Sequence, residues 1–121
     1  MKVLGIGNDI VEISRIEKAL SKKGFKERVF TIKEITQLDK KGGKIESYAG
    51  RFSAKEAISK ALGTGVRGFN LIDIEILNDD LGKPVVKFLG ALKERENKLD
   101  IQLSISHCKE YATAVAIIIE M

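Results

Sequence analysis

The segment 45–62 does most to limit what this chain can become. It contains no proline, places Ile45, Ala49 and Phe52 at helical spacing, and is closed by Gly63 and Gly65. That pattern predicts one long helix with a buried stripe and a glycine stop. Ser53 and Glu56 stand three apart as in a capping box, which would start a shorter helix at Ser53. The apolar positions upstream favour the longer reading, so the rest of the fold has to be arranged around one dominant helix.

Around it the hydrophobic period changes several times. Residues 3–11 read as a buried strand interrupted by Gly5 and Gly7, which signals a bulge or a close backbone approach. Residues 13–23 turn helical: Ile13, Ile16 and Leu20 form one apolar stripe, and Arg15, Lys18 and Lys22 repeat the spacing on nearly the opposite side. A second helix is predicted over 31–39, with Thr31 as N-cap and Glu34 completing a capping box, and residues 40–43 break it. Residues 72–76 alternate as a strand, 78–82 make a turn, and 83–89 return, with Pro84, the only proline, near the start. Residues 90–98 fit a short charged helix, and 101–107 and 111–119 two further strands. The expected class is α+β, in one domain over 1–121, with no repeat, linker or low-complexity tract.

At 121 residues and 44% hydrophobic content the chain can build a core. Little area is left for a deep private pocket, so a site shared between subunits is expected. The single cysteine, Cys108, excludes an internal disulfide framework and a cysteine-rich zinc site. The longest apolar stretch, 114–119, is too short to span a bilayer, and no signal peptide is visible. The expected compartment is therefore the cytoplasm, without membrane association. Net charge is +4, and all of it resides in residues 15–28, which carry six bases against two acids. One basic surface implies an acidic partner: nucleic acid, anionic lipid or an acidic protein.

Few residues could carry chemistry. Asp9 ends an apolar strand beside glycines, where a carboxylate is costly to bury unless paired or bound to a metal. The plainer role is a cap or turn residue for the first helix. Glu56 and Lys60, four apart, share a helix face, which an exposed ion pair of about 0.3–0.5 kcal/mol would also explain. The functional alternative sets Glu56 beside Asp9 as the second oxygen ligand of a magnesium ion, an ion that takes one or two carboxylates and completes its shell with water and phosphate. Lys55 and Lys60 would then face phosphates, and Gly63-Thr64-Gly65 would admit a ligand to the backbone, although a glycine C-cap accounts for the same residues. His107, the only histidine, ends a strand; both structural and catalytic roles are open. Cys108 reads as packing or turn chemistry.

Three segments together resemble the bacterial holo-acyl-carrier-protein synthase family, the short class of 4'-phosphopantetheinyl transferases. They are Gly5-Ile6-Gly7-Asn8-Asp9-Ile10-Val11-Glu12 with Arg15-Ile16; Arg51-Phe52-Ser53-Ala54-Lys55-Glu56-Ala57 continuing through Lys60-Ala61-Leu62-Gly63-Thr64-Gly65; and Leu103-Ser104-Ile105-Ser106-His107 with Tyr111-Ala112. The Gly82-Lys83-Pro84 turn is also similar. The pieces follow the family's order and span nearly the whole chain. Asn8 departs from the usual apolar residue, and Cys108 from the usual hydroxyl or acid.

The resemblance implies the family's fold, an antiparallel sheet packed with a long helix and shorter helices. It implies magnesium on Asp9 and Glu56, with Arg51, Lys55, Lys60, Gly63, Thr64, Gly65 and His107 contacting coenzyme A. Arg15, with Lys18 and Lys22, falls on the helix that docks an acidic acyl carrier protein. A homotrimer with sites between subunits is implied as well. In the reaction expected for fatty acid biosynthesis, a carrier serine attacks the pantetheine-side phosphorus and adenosine 3',5'-bisphosphate leaves. Lys60 adds fixed charge, and Glu56 through water, or His107, takes the serine proton. The competing readings are a small nucleic-acid-binding module using the basic segment 15–28 and a structural oligomer with a solvated basic face. The poverty of aromatics in that segment counts against the first.

Overall fold

In the computed structural model, which describes residues 1–63 and 66–121, α4 (Ile45–Leu62) is one uninterrupted helix. Ser53 therefore lies mid-helix and caps nothing. Before α4 the chain forms β1 (Lys2–Glu12), α1 (Ile13–Leu20), α2 (Phe25–Val29) and α3 (Ile32–Lys40). After it come a 3-10 turn at Leu71–Asp73, the hairpin β2 (Ile74–Asn78) and β3 (Pro84–Phe88), a second 3-10 segment at Gly90–Arg95, and the hairpin β4 (Leu99–His107) and β5 (Tyr111–Glu120). The fold is α+β. One antiparallel sheet runs in the order β1-β5-β4, and β2 pairs with β3 in a separate two-stranded sheet.

Helix α4 buries residues around most of its circumference because it is central. Ala54, Ala57, Ile58 and Ala61 pack with Ala114, Ala116 and Ile118 of β5 and with Ile74, Ile76 and Phe88 of the hairpin. Its first turns join Ile16, Val29, Phe30 and Leu38 through Tyr48 and Ala49. The small residues on both sides set a short separation. A Cβ on Gly7 would stand 2.0 Å from the Ala57 carbonyl oxygen, and one on Gly5 2.0 Å from that of Ala61. Both readings of these glycines hold, since the β1–β5 register also shifts between Val3 and Gly5.

The free edge of β2 explains the buried charges. Its even residues turn their peptide groups away from β3, where no further strand lies among the described residues. Side chains satisfy them instead. Lys55 donates to the Ile74 carbonyl at 2.6 Å, and Arg51 to the Ile76 carbonyl. The Ile76 amide donates to Glu34 at 2.9 Å. Gln37 accepts from the Asn78 amide and donates to its carbonyl, as a neighbouring strand would. Glu34 also completes the predicted capping box of α3 with Thr31. Each burial is tolerable because each polar group has its partner.

Several predicted boundaries move. α1 stops at Leu20, and a turn through Gly24 at φ +86° separates it from α2. The basic segment is thus two short helices, with Lys22 in the turn between them. The predicted strand start at Ile72 belongs to the 3-10 turn, which Asn70 and Asp73 cap reciprocally. The charged helix expected over 90–98 is a 3-10 segment. Asp9 is not an N-cap: it pairs with Ala114 inside the sheet, and Glu12 occupies the N-cap of α1 without a side-chain bond.

Candidate active site

Strand alternation puts Gly5, Gly7 and Asp9 on the face of β1 that meets α4, while Ile6, Asn8 and Ile10 are exposed on the other. The two glycines bring the strand down onto the helix backbone, and Asp9 follows at the next inward position. It meets the helix face formed by Ser53, Glu56 and Lys60, whose spacing of three and four residues aligns them. Lys60 Nζ lies 3.2 Å from Asp9 Oδ1 and 3.0 Å from the Asn8 carbonyl. Ser53 Oγ lies 3.2 Å from Asp9 Oδ2 and 3.1 Å from the Asp9 carbonyl. Thr113 also donates to that carbonyl, at 2.7 Å.

Glu56, between Ser53 and Lys60, feels the same cluster. Its carboxyl is pushed above the usual carboxylate range by burial first and by Asp9 second, with Lys60 opposing. Two carboxylates therefore share a partly desolvated space, and one of them is held by an ammonium group. The Asp9 side chain is 12% exposed and that of Lys60 55%. The lysine can swing into solvent while the carboxylate cannot.

This donor set suits a hard divalent cation, with the Lys60 ammonium standing where positive charge is wanted. Among the described residues there is no group of three or more His, Cys, Asp or Glu that could hold a metal. A cation here would have two protein carboxylates and would fill its shell from water and phosphate oxygens, a habit of magnesium rather than of zinc.

Other predicted residues lie elsewhere. Lys55 is corrected: it is 0% exposed and donates to Glu34 Oε1 at 2.7 Å, to Leu71 O at 3.1 Å and to Ile74 O. Its three protons are used, and no phosphate can reach it. Arg51 is buried against the β2 edge yet lines a cavity of about 420 Å³ with Lys41, Glu46, Ser104 and His107. None of Asp9, Glu56 and Lys60 lines this cavity, so the structure gathers the predicted site residues into two groups. Gly63 ends α4 at φ +71° with open space around it. Thr64 and Gly65, predicted to contact the coenzyme, lie outside the described residues. Arg15, Lys18 and Lys22 are exposed, and among the described residues Arg15 pairs with exposed Glu12 at 3.3 Å. Thr113 had no signal in the sequence. Ser53 had one, the capping-box spacing, which pointed to the wrong partner.

Comparison with known proteins bears on this arrangement. A family model described as the 4'-phosphopantetheinyl transferase superfamily matches residues 5–116. The chain is 58% identical to a holo-[acyl-carrier-protein] synthase of Fusobacterium nucleatum, over 97% of this chain and 99% of that one. Its structure is similar to the holo-[acyl-carrier-protein] synthase of Neisseria meningitidis, with TM-score 0.85 and 35% identity over 98% of this chain and 99% of that one. It is also similar to the holo-(acyl-carrier-protein) synthase of Bacillus anthracis in complex with CoA (3',5'-ADP), with TM-score 0.76 and 40% identity over 98% and 97%.

Proposed function

The chain belongs to the 4'-phosphopantetheinyl transferase superfamily, and from that membership we infer that it is a holo-[acyl-carrier-protein] synthase. It transfers the 4'-phosphopantetheine arm of coenzyme A to a serine of an apo acyl carrier protein and releases adenosine 3',5'-bisphosphate. The product is the holo carrier used in fatty acid biosynthesis. The observation that carries the chemical reading is the contact of Asp9 with Ser53 and Lys60 across the β1–α4 packing, on the helix face that Glu56 shares.

Asp9 and Glu56 would hold a magnesium ion, which supplies positive charge to the diphosphate of coenzyme A. Lys60, freed from Asp9, reaches the phosphate oxygens and opposes the charge that builds during transfer. Gly63, at the end of α4, would lie against the same ligand. Arg51 and His107 offer a second set of hydrogen-bond donors for the phosphorylated nucleoside end, in the cavity at the other half of α4. Glu56 and His107 remain the two groups able to take the serine proton, and the pH profile of His107→Ala distinguishes them: a lost acid limb assigns the role to His107, and an unchanged profile assigns it to Glu56.

The division of these residues into two groups supports a homotrimer in which one chain's Asp9 group meets a neighbour's His107 group. The outer face of the β1-β5-β4 sheet supports it too, since Ile6, Ile10 and Val115 are 67%, 65% and 38% exposed there. A second copy of this chain is the occupant that would cover them. Arg15, Lys18 and Lys22 would receive the acidic carrier, and the compartment would be the cytoplasm. No helix among the described residues is long and apolar enough to cross a membrane.

Mass spectrometry of an apo carrier incubated with the chain, coenzyme A and magnesium tests the activity. The carrier gains one phosphopantetheine group, and with Asp9→Ala it does not. An unmodified carrier in the first reaction would refute the assignment.

A further inference from the structure

Ser53 sits in the middle of α4 with 0% exposure, between neighbours such as Ala49, Ala54 and Ala57 that are equally buried. Alanine would fill the same space with better helix propensity and no polar group to satisfy. A buried mid-helix serine commonly bonds back to the carbonyl four residues earlier, as Ser59 does to Lys55 at 2.9 Å. Ser53 does not. Its hydroxyl leaves the helix and reaches Asp9 alone, at the carbonyl and at Oδ2. The other carboxylate oxygen, Oδ1, carries Lys60.

The two partners of Asp9 differ in kind. Lys60 is half exposed on a flexible stem and can be displaced. Ser53 is fixed by packing on every side. A ligand that replaces the ammonium at Oδ1 would leave the hydroxyl at Oδ2 in place. We propose that Ser53 is a positioning residue, which locks the Asp9 carboxylate by one oxygen and the adjoining backbone so that Oδ1 is presented to the divalent cation. This rests on the reading of Asp9 as a metal ligand given above. Outer-shell partners of this sort orient carboxylate ligands and commonly set metal affinity.

The test compares wild type with Ser53→Ala, Ser53→Cys and Ser53→Thr. Ala removes the donor without adding bulk, Cys replaces it with a larger and poorer one, and Thr keeps the hydroxyl while adding a methyl group. Mn²⁺ binding in the presence of coenzyme A is followed by electron paramagnetic resonance, Mg²⁺ activation by initial rates, and folding by thermal melts. Ala and Cys are expected to weaken Mn²⁺ binding by about tenfold and to raise the Mg²⁺ concentration for half-maximal rate by a similar factor. The rate at saturating Mg²⁺ should fall much less, and Thr should restore the affinity. Unchanged Mn²⁺ affinity in well-folded Ala and Cys variants would overturn the proposal. Asp9→Ala is the control: if it too binds Mn²⁺ like wild type, the metal-ligand reading itself fails, and the proposal with it.

Discussion

Glu56 holds proton affinity above the ordinary value because burial and Asp9 disfavour its ionised form. For a carboxyl raised in the folded state, the folded chain binds more protons than the unfolded one between the two pKa values. The metal-free protein should therefore lose stability as pH rises from the ordinary glutamate value through the raised one, and regain it on acidification. Glu56→Gln should remove that slope in thermal melts and raise the melting temperature by a few degrees at neutral pH, while abolishing transfer. A melting curve of Glu56→Gln that still tracks wild type across that range contradicts the electrostatic picture. Lys55 shows the opposite behaviour. Removing it strands Glu34 in the interior, so Lys55→Ala should cost about 3–5 kcal/mol in urea titration. The molecules that remain folded should bind coenzyme A with unchanged affinity. The gathering of Asp9 and Lys60 on the Glu56 face of α4 could be anticipated from carboxylates standing beside glycines and lysines, a pattern that the proposed phosphate chemistry would use. Lys55 was misread because sequence spacing gives a lysine's neighbours along a helix, not the strand edge that lies over it.

At the level of elements, the contact of β1 with α4 positions the proposed site. Gly7→Ala puts a methyl group 2.0 Å from the Ala57 carbonyl oxygen, and neither backbone can yield locally. The strand should lift, with a loss of about 1–3 kcal/mol in urea titration and loss of transfer in the remaining folded protein as Asp9 leaves Ser53 and Lys60. The glycine pattern in the sequence announced this approach but not its partner. The long helix and the Thr31 capping box were legible for local reasons. The turn at Gly24 was not, because Lys22 continues the helical spacing of Arg15 and Lys18 past the last residue of the apolar stripe, Leu20. Division of the basic segment leaves Arg15 and Lys18 together on α1. Reversing both charges should raise the carrier KM by on the order of tenfold at low salt and flatten its salt dependence. The KM for coenzyme A should stay close to wild type; a matching rise there would move these residues into the coenzyme site.

For the molecule as a whole, the sequence suggests that a small chain shares its site between subunits, and two features of the structure support that proposal. The Asp9 cluster and the cavity of Arg51 and His107 occupy opposite halves of α4, and the sheet's outer face carries apolar side chains that the described residues leave exposed. Ultracentrifugation should find a trimer, and a charge at Ile6 or Ile10 should yield monomers that bind coenzyme A poorly; active monomers would contradict the shared site. The most direct measurement is a crystal structure with Mn²⁺ and coenzyme A, using anomalous scattering to locate the metal. One metal peak should bond carboxylate oxygens of Asp9 and Glu56 from the same chain and the diphosphate of the coenzyme. A peak that avoids either side chain, or a diphosphate bound away from both, would contradict the account.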